Sequence, residues 1–412
     1  MSMKKFTKKM LAIVAAAAMT MGMAMPAMAA EGTTVPDTKN NAKEAYISKT
    51  YNTEVKKPMK FNFTATQVKD NDRDDLVKKD ITCTIPSIEF VTSDFSNNAG
   101  TYKKVSEKIK FDNFGEAGKY EYTVKEGTSN PVIAESAYEK MIMSKAEYTM
   151  DVYVVEDASG AFNIEKIIVT KTKNDKGVAD SSTGKVDIGN DKGKNGFNFV
   201  NTYVQEAGTG TPDPENPDKP VTPKPDYATN GALKVSKEVI QNVTDDQKSL
   251  PTQKFDFTAK FEFPAGTDAN TLGGVKDKDG NDVTLDETGE CGFQLGNGEN
   301  MKFTGLPVGT KITVTEDAKA NYKGSAAVVI NNENKANVVA TKFNEEIKVW
   351  DEAANTGYKL GQNKNTVDVT NRFNNVPTTG IIMNTLPYVL MVALCAVALF
   401  GFVAFKRKKV QK

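Results

Sequence analysis

Alternation along a strand sorts side chains onto two faces, residues two apart sharing one. In this chain the sorting puts three reactive residue types among apolar neighbours. In "LKVSKEV" (233–239), Leu233, Val235 and Val239 share a face with Lys237. In "KITVTE" (311–316), Ile312 and Val314 share one with Glu316. In "VDVTNRF" (367–373), Val367, Val369 and Phe373 share one with Asn371. The first half of the chain repeats the set in the same order. Lys49 lies with Ile47 and Tyr51 in "AYISKTY", Glu126 with Tyr120, Tyr122 and Val124 in "YEYTVKEG", and Asn201 with Phe197, Phe199 and Tyr203 in "FNFVNTY".

A lysine on an apolar face is costly unless paired. Burial disfavours the ammonium and leaves a neutral amine, which is a nucleophile. It also disfavours the carboxylate, so the glutamate keeps a proton that it can donate to the asparagine carbonyl oxygen and shuttle onward. The amine then attacks the carboxamide, ammonia leaves, and a Lys–Asn isopeptide bond remains, with proximity supplying most of the rate. The expected cross-links are Lys49–Asn201 and Lys237–Asn371, with Glu126 and Glu316 catalytic. Each domain reacts once, so the chain is not expected to be an enzyme acting on an external substrate. Lysine sits on the first strand of its half and asparagine on the last. Closing that loop is worth roughly 4–5 kcal/mol by analogy with a disulfide. The plainer alternative, polar residues at strand ends turning outward, suits any one position better than two ordered trios.

The elements that must position these residues read as all-β. Short alternating runs such as "KFNFTATQV" (60–68), "EYTMDVYVV" (147–155) and "KFDFTAKFEF" (254–263) recur through both halves and suggest two tandem β-sandwich domains. "FNFTATQV" parallels "FDFTAKFEF", and "YTVKEG" parallels "ITVTED", as in two copies of one module. Six prolines within 205–230 mark a semi-rigid extended linker between domains at 32–204 and 231–375. One helix is expected, over 133–145. "DKDGND" (277–282) fits an Asp-Gly hairpin turn better than a calcium loop, since Gly280 is misplaced for the latter.

The ends place the chain outside a cell. Lys4, Lys5, Lys8 and Lys9, an apolar run and the small-x-small site in "AMAA" (27–30) are expected to form a secretory signal peptide over 1–29. Near the other end, 388–405 is apolar throughout and a weaker stretch from 381 extends it to a transmembrane helix over 381–405, near the roughly 20 residues that a membrane-spanning helix needs. The basic tail 406–412 then stays cytoplasmic. Without the nine lysines and arginines of the two ends, 44 basic residues face 53 acidic ones, a net charge of −9. That leaves no basic footprint for nucleic acid. Cys83, Cys291 and Cys395 do not suggest a disulfide framework. The chain has no histidine, which excludes a Ser-His-Asp triad and a histidine zinc site. No metal or cofactor is expected.

With these residues in place, both halves resemble the isopeptide-linked, Ig-like domains of Gram-positive backbone pilins of the streptococcal T-antigen type. "YISK" and "KVSK" carry the lysines, "TVKEG" and "TVTED" the glutamates, "FVNTY" and "VTNRF" the asparagines. The long Pro-rich linker departs from relatives that join their domains closely. Val376, Pro377, Thr378, Thr379 and Gly380 look like a sortase sorting signal of the Leu-Pro-x-Thr-Gly class, with Val for Leu. Pro377 favours an extended Val376, and Gly380 allows close approach. The resemblance implies cleavage between Thr379 and Gly380 and transfer of the Thr379 acyl group to a lysine of the next subunit. Lys194 in "NDKGKNGFNFVN" matches that lysine best by position, with Lys192 and Lys185 as rivals. It implies as partners pilin-specific and housekeeping sortases, identical and minor pilins, and peptidoglycan. The expected location is the cell surface, covalently on the wall, reached through a membrane-bound precursor. The alternative function is a wall-anchored adhesin that does not polymerise and binds a host or matrix ligand.

Overall fold

The computed structural model describes residues 42–96, 100–212, 219–241 and 252–373. The signal peptide, the motif 376–380, the apolar span 381–405 and the tail lie outside the described residues. Among the described residues no helix is long and apolar enough to cross a membrane.

Almost every described element is a strand, and each half is a sandwich of two sheets. In the first half one sheet runs Thr101–Val105, Ser48–Asn52, Asn198–Gln205, Glu139–Ile142. The sheet facing it runs Gly184–Val186, Phe162–Lys173, Glu147–Glu156, Gly118–Asn130, Met59–Gln67, Ile88–Phe90. Rings interlock across the gap, with Phe63 5.2 Å from Phe199 and Tyr51 5.3 Å from Phe61. In the second half, one sheet holds Asn300–Phe303, Leu233–Gln241, Thr366–Phe373 and Tyr322–Ile330 in that order. The other holds Glu290–Leu295, Phe255–Glu262, Lys311–Glu316 and Ile347–Val349. Phe261 meets Phe303 across this core at 5.2 Å.

The alternation read from sequence is the cause of this layering. Glu147–Glu156 buries Tyr148, Met150, Val152 and Val154 while its other face stays half open, and Lys311–Glu316 buries Ile312 and Val314. In each half the first and last strands are parallel neighbours. Lys49 lies opposite Phe199 and Tyr51 opposite Asn201, while Lys237 lies opposite Val369 and Val239 opposite Asn371. The offset from lysine to asparagine is thus the same in both copies.

Two expectations are corrected. The 133–145 stretch forms no helix. Its Glu139–Ile142 segment is a strand antiparallel to the last strand, with Thr202 opposite Ile142 and Gln205 opposite Glu139, and it buries Glu139 and Met141. Ladder hydrogen bonds and that buried edge outweigh its helix-favouring composition. The 205–230 stretch is not simply an extended linker. Gln205 closes a strand, residues 206–210 are buried, and Pro225–Asn230 is a helical turn. Ala207 N donates to Leu306 O at 2.9 Å, Gly208 N to Gly361 O at 3.1 Å and Val308 N to Gln205 O at 2.8 Å. The returning segment docks on the first half, where Val221 N donates to the buried carboxylate of Glu139 at 2.9 Å. Glu54 and Lys359 pair across the same joint at 2.5 Å. Asp277–Asn281 does form a turn, with Gly280 at a φ of 84°.

Glu206 sits at the centre of the joint, 2% exposed, and accepts from Tyr227 Oη and Gly305 N. Burial pushes its carboxyl up to about 7. The folded joint therefore holds a proton that the unfolded chain has released above its ordinary carboxylate pKa, and stability falls as pH rises from roughly 4.5 to 7. Comparing melting temperatures of the wild type and Glu206→Gln across this window isolates the effect. The wild type is expected to lose roughly 2–3 kcal/mol more than the variant between pH 5 and 8. Parallel curves would show that Glu206 does not titrate with folding.

Candidate functional site

The lysine and asparagine of each trio stand on one sheet and the glutamate on the other, so each trio meets inside the sandwich. Lys49 Nζ lies 2.5 Å from Glu126 Oε1, both side chains at 0% exposure. The same Oε1 accepts from Asn201 Nδ2 at 2.9 Å. In the second half, Lys237 Nζ lies 3.0 Å from both oxygens of Glu316, and Asn371 Nδ2 donates to Glu316 Oε1 at 2.5 Å. All six sequence-selected residues thus come together as two triplets.

Aromatic rings complete both pockets. Lys49 Nζ lies 4.4 Å from the Phe61 ring centre and Lys237 Nζ 4.2 Å from that of Phe255. A ring face attracts a cation yet offers no hydrogen bond, so it holds the ammonium without solvating it. Phe63 stands opposite Glu126 in the ladder, and Phe257 opposite Glu316. The paired "FNFT" and "FDFT" runs held the signal for these rings.

Burial lowers Lys49 to about 8 and Lys237 to about 8, against the raising pull of the adjacent glutamate. Burial raises Glu126 and Glu316, against the lowering pull of the lysine. Both shifts favour the neutral pair, amine and carboxylic acid. One detail of the expected chemistry changes. The amide nitrogen, not the carbonyl oxygen, faces the glutamate in both triplets. Glutamate Oε1 thus bridges the lysine nitrogen and the amide nitrogen, an arrangement through which a proton could pass between them.

Two residues escaped sequence reasoning. Ser144 N donates to Asn201 Oδ1 at 2.7 Å, and Asp175 accepts from Ser144 Oγ at 2.6 Å. Both lie between strands, where alternation gives no signal. Lys192 and Lys194 are exposed on the turn before the asparagine strand, and Lys185 is exposed on Gly184–Val186. Cys83 and Cys291 are free and buried. Among the described residues no acidic or cysteine cluster could hold a metal ion.

A family model described as a domain of unknown function (DUF7601) matches residues 231–373. No curated protein matches the chain. Among solved structures, the chain is similar to the major pilin of Streptococcus pyogenes, at 18% identity and a TM-score of 0.30, covering 81% of this chain and 100% of that one. It is similar to another major pilin protein of Streptococcus pyogenes at 17% identity and a TM-score of 0.28, covering 81% of this chain and 98% of that one. A pilus-presented adhesin aligns at 16% identity and a TM-score of 0.24, covering 55% of this chain and 37% of that one.

The paired shifts set a pH profile for any reaction between lysine and asparagine. Between the two pKa values each pair holds one proton, shared by nitrogen and oxygen, and the rate is flat. Above about 8 that proton is lost and the leaving nitrogen has no donor. Below the raised carboxyl pKa a second proton blocks the amine. Ammonia release from freshly refolded chain, assayed from pH 4 to 10, is expected to be bell-shaped with its alkaline limb near 8. A rate still climbing at pH 10 would contradict the shared-proton arrangement.

Proposed function

We propose that the chain is a secreted structural subunit of a sortase-assembled pilus, reinforced by two self-formed isopeptide bonds. The observation that carries this is the pair of buried Lys–Glu–Asn triplets with identical strand order and register. In each, the neutral amine attacks the asparagine Cγ. The glutamate takes a proton from that nitrogen and returns it to the departing one, so ammonia leaves and the amide remains. An apolar surrounding keeps water away and shifts both groups toward their neutral forms. Lys49 would join Asn201 and Lys237 would join Asn371, each tying the first strand of a domain to its last.

Polymerisation is supported by the directions of the two last strands. The last strand of the first half runs from Asn198 toward the joint, and the last strand of the second half runs away from the joint to Phe373. Lys194 therefore stands on the side of the first half away from the joint, and Phe373, three residues before Val376 in sequence, on the side of the second half away from it. A sortase cutting between Thr379 and Gly380 would join the tail of one subunit to the head of the next. Lys194 is our acceptor, with Lys192 and Lys185 close by in the chain. The apolar span then serves only the precursor, and peptidoglycan receives the finished fibre.

Intact mass is the direct test. The exported chain is expected to weigh about 34 Da less than its sequence, two ammonias. Glu126→Ala and Glu316→Ala should each restore about 17 Da and lower the melting temperature of one domain. An unshifted mass would remove the isopeptide reading. On denaturing gels of wall extracts, a covalent ladder lost in Lys194→Ala supports polymerisation. A single wall-linked band would favour the non-polymerising adhesin instead.

A further inference from the structure

The two triplets share strands and register but differ at the atom that must carry negative charge. Attack on Cγ turns the asparagine Oδ1 into an oxyanion, and a donor already aimed at it lowers the barrier. At Asn201 such a donor is in place, since the main-chain N–H of Ser144 reaches Oδ1 at 2.7 Å. A main-chain N–H can only donate, so it also fixes which way the amide points.

This N–H is itself held. Ser144 Oγ donates to Asp175 Oδ1 at 2.6 Å and accepts from Ala146 N at 3.1 Å. Lys145 N donates to the main-chain oxygen of Asp175 at 3.0 Å. The same Asp175 Oδ1 accepts from Val200 N at 2.8 Å, one residue before Asn201. One carboxylate thus ties residues 143–146 to the asparagine strand beside the reacting amide. At the second site Asn371 Oδ1 is buried and has no hydrogen-bond partner among the described residues. Gly324 lies opposite Asn371 in the ladder and offers no side chain.

We propose that the main-chain N–H of Ser144 is the oxyanion donor for the Lys49–Asn201 reaction, positioned by Asp175, and that the second domain reacts without a counterpart. The inference rests on the isopeptide reading above. In the step, Nζ–Cγ forms and Cγ–Nδ2 breaks. One proton passes from Nζ through Glu126 Oε1 to Nδ2, and ammonia departs. Charge gathers on Oδ1 only in passing, which is when the Ser144 N–H acts most strongly. The first domain therefore closes ahead of the second.

The test follows both bonds in one molecule. Exported chain recovered unfolded from inclusion bodies is refolded by dilution and quenched at intervals. The peptides of each site are then weighed, each bond showing as a loss of about 17 Da. Ser144→Pro, which deletes the N–H, should slow the first site about 10²-fold. Asp175→Ala should slow it roughly tenfold through misplacement, and Asp175→Asn, which keeps the acceptor oxygen, should restore it. The second site keeps its wild-type rate in all three and serves as the internal clock. If Ser144→Pro does not fold, the Ala and Asn variants at 175 decide. The proposal is overturned by an unchanged first-site rate in a folded Ser144→Pro or Asp175→Ala, by equal slowing of both sites, or by a wild-type second site as fast as the first. No loss at either wild-type site overturns the isopeptide reading itself, a separate outcome.

Discussion

A lysine nitrogen in an apolar core is the constraint around which each half is arranged. An ammonium without a partner there would cost several kcal/mol, so the opposite sheet must supply a carboxyl at contact distance. Glu126 and Glu316 do this from across the sandwich. That contact in turn fixes how far apart the sheets lie and which residue of each glutamate strand turns inward. Rings of Phe61 and Phe255 fill the remaining space under the nitrogen. A one-residue slip of any of the three strands would point its reactive side chain at solvent and leave the others buried and unpaired.

Much of this was legible because strands have a period of two. Lys49, Glu126 and Asn201 could be placed on inward faces from their neighbours alone, and so could Lys237, Glu316 and Asn371. Pairing was harder to see. Nothing in "AYISKTY" says that its partner lies some 150 residues on, in parallel and two residues out of step. The Phe61 and Phe255 rings were visible as repeated motifs but not as the floor under a lysine. Ser144 and Asp175 left no trace, since they act from segments between strands, where alternation gives no signal.

The misreadings have physical causes of the same kind. Residues 133–145 are rich in Ala, Glu, Lys and Met, which favour helix in isolation. Their place beside the exposed edge of the asparagine strand makes a strand the better use of them. The stretch 205–230 has the composition of a free linker, and proline content alone says nothing about what the intervening residues touch. Ala207, Gly208 and Val221 find partners on both halves, and Glu139 and Glu206 each hold a main-chain N–H there. Composition describes how a chain behaves alone, and here the neighbouring surfaces decide.

The parallel pairing of first and last strands has a mechanical side. When two neighbouring strands run the same way, the start of one and the end of the other lie at opposite ends of the ladder. Tension applied there slides the strands along each other, and every rung between Ser48 and Asn52, or between Lys234 and Gln241, resists at once. Antiparallel terminal strands would instead be peeled from one end, rung after rung. The second half continues the direction of the first, so both ladders meet tension in the same sliding mode. Through strand pairing alone, the fold is laid out as a pair of shear clamps in series.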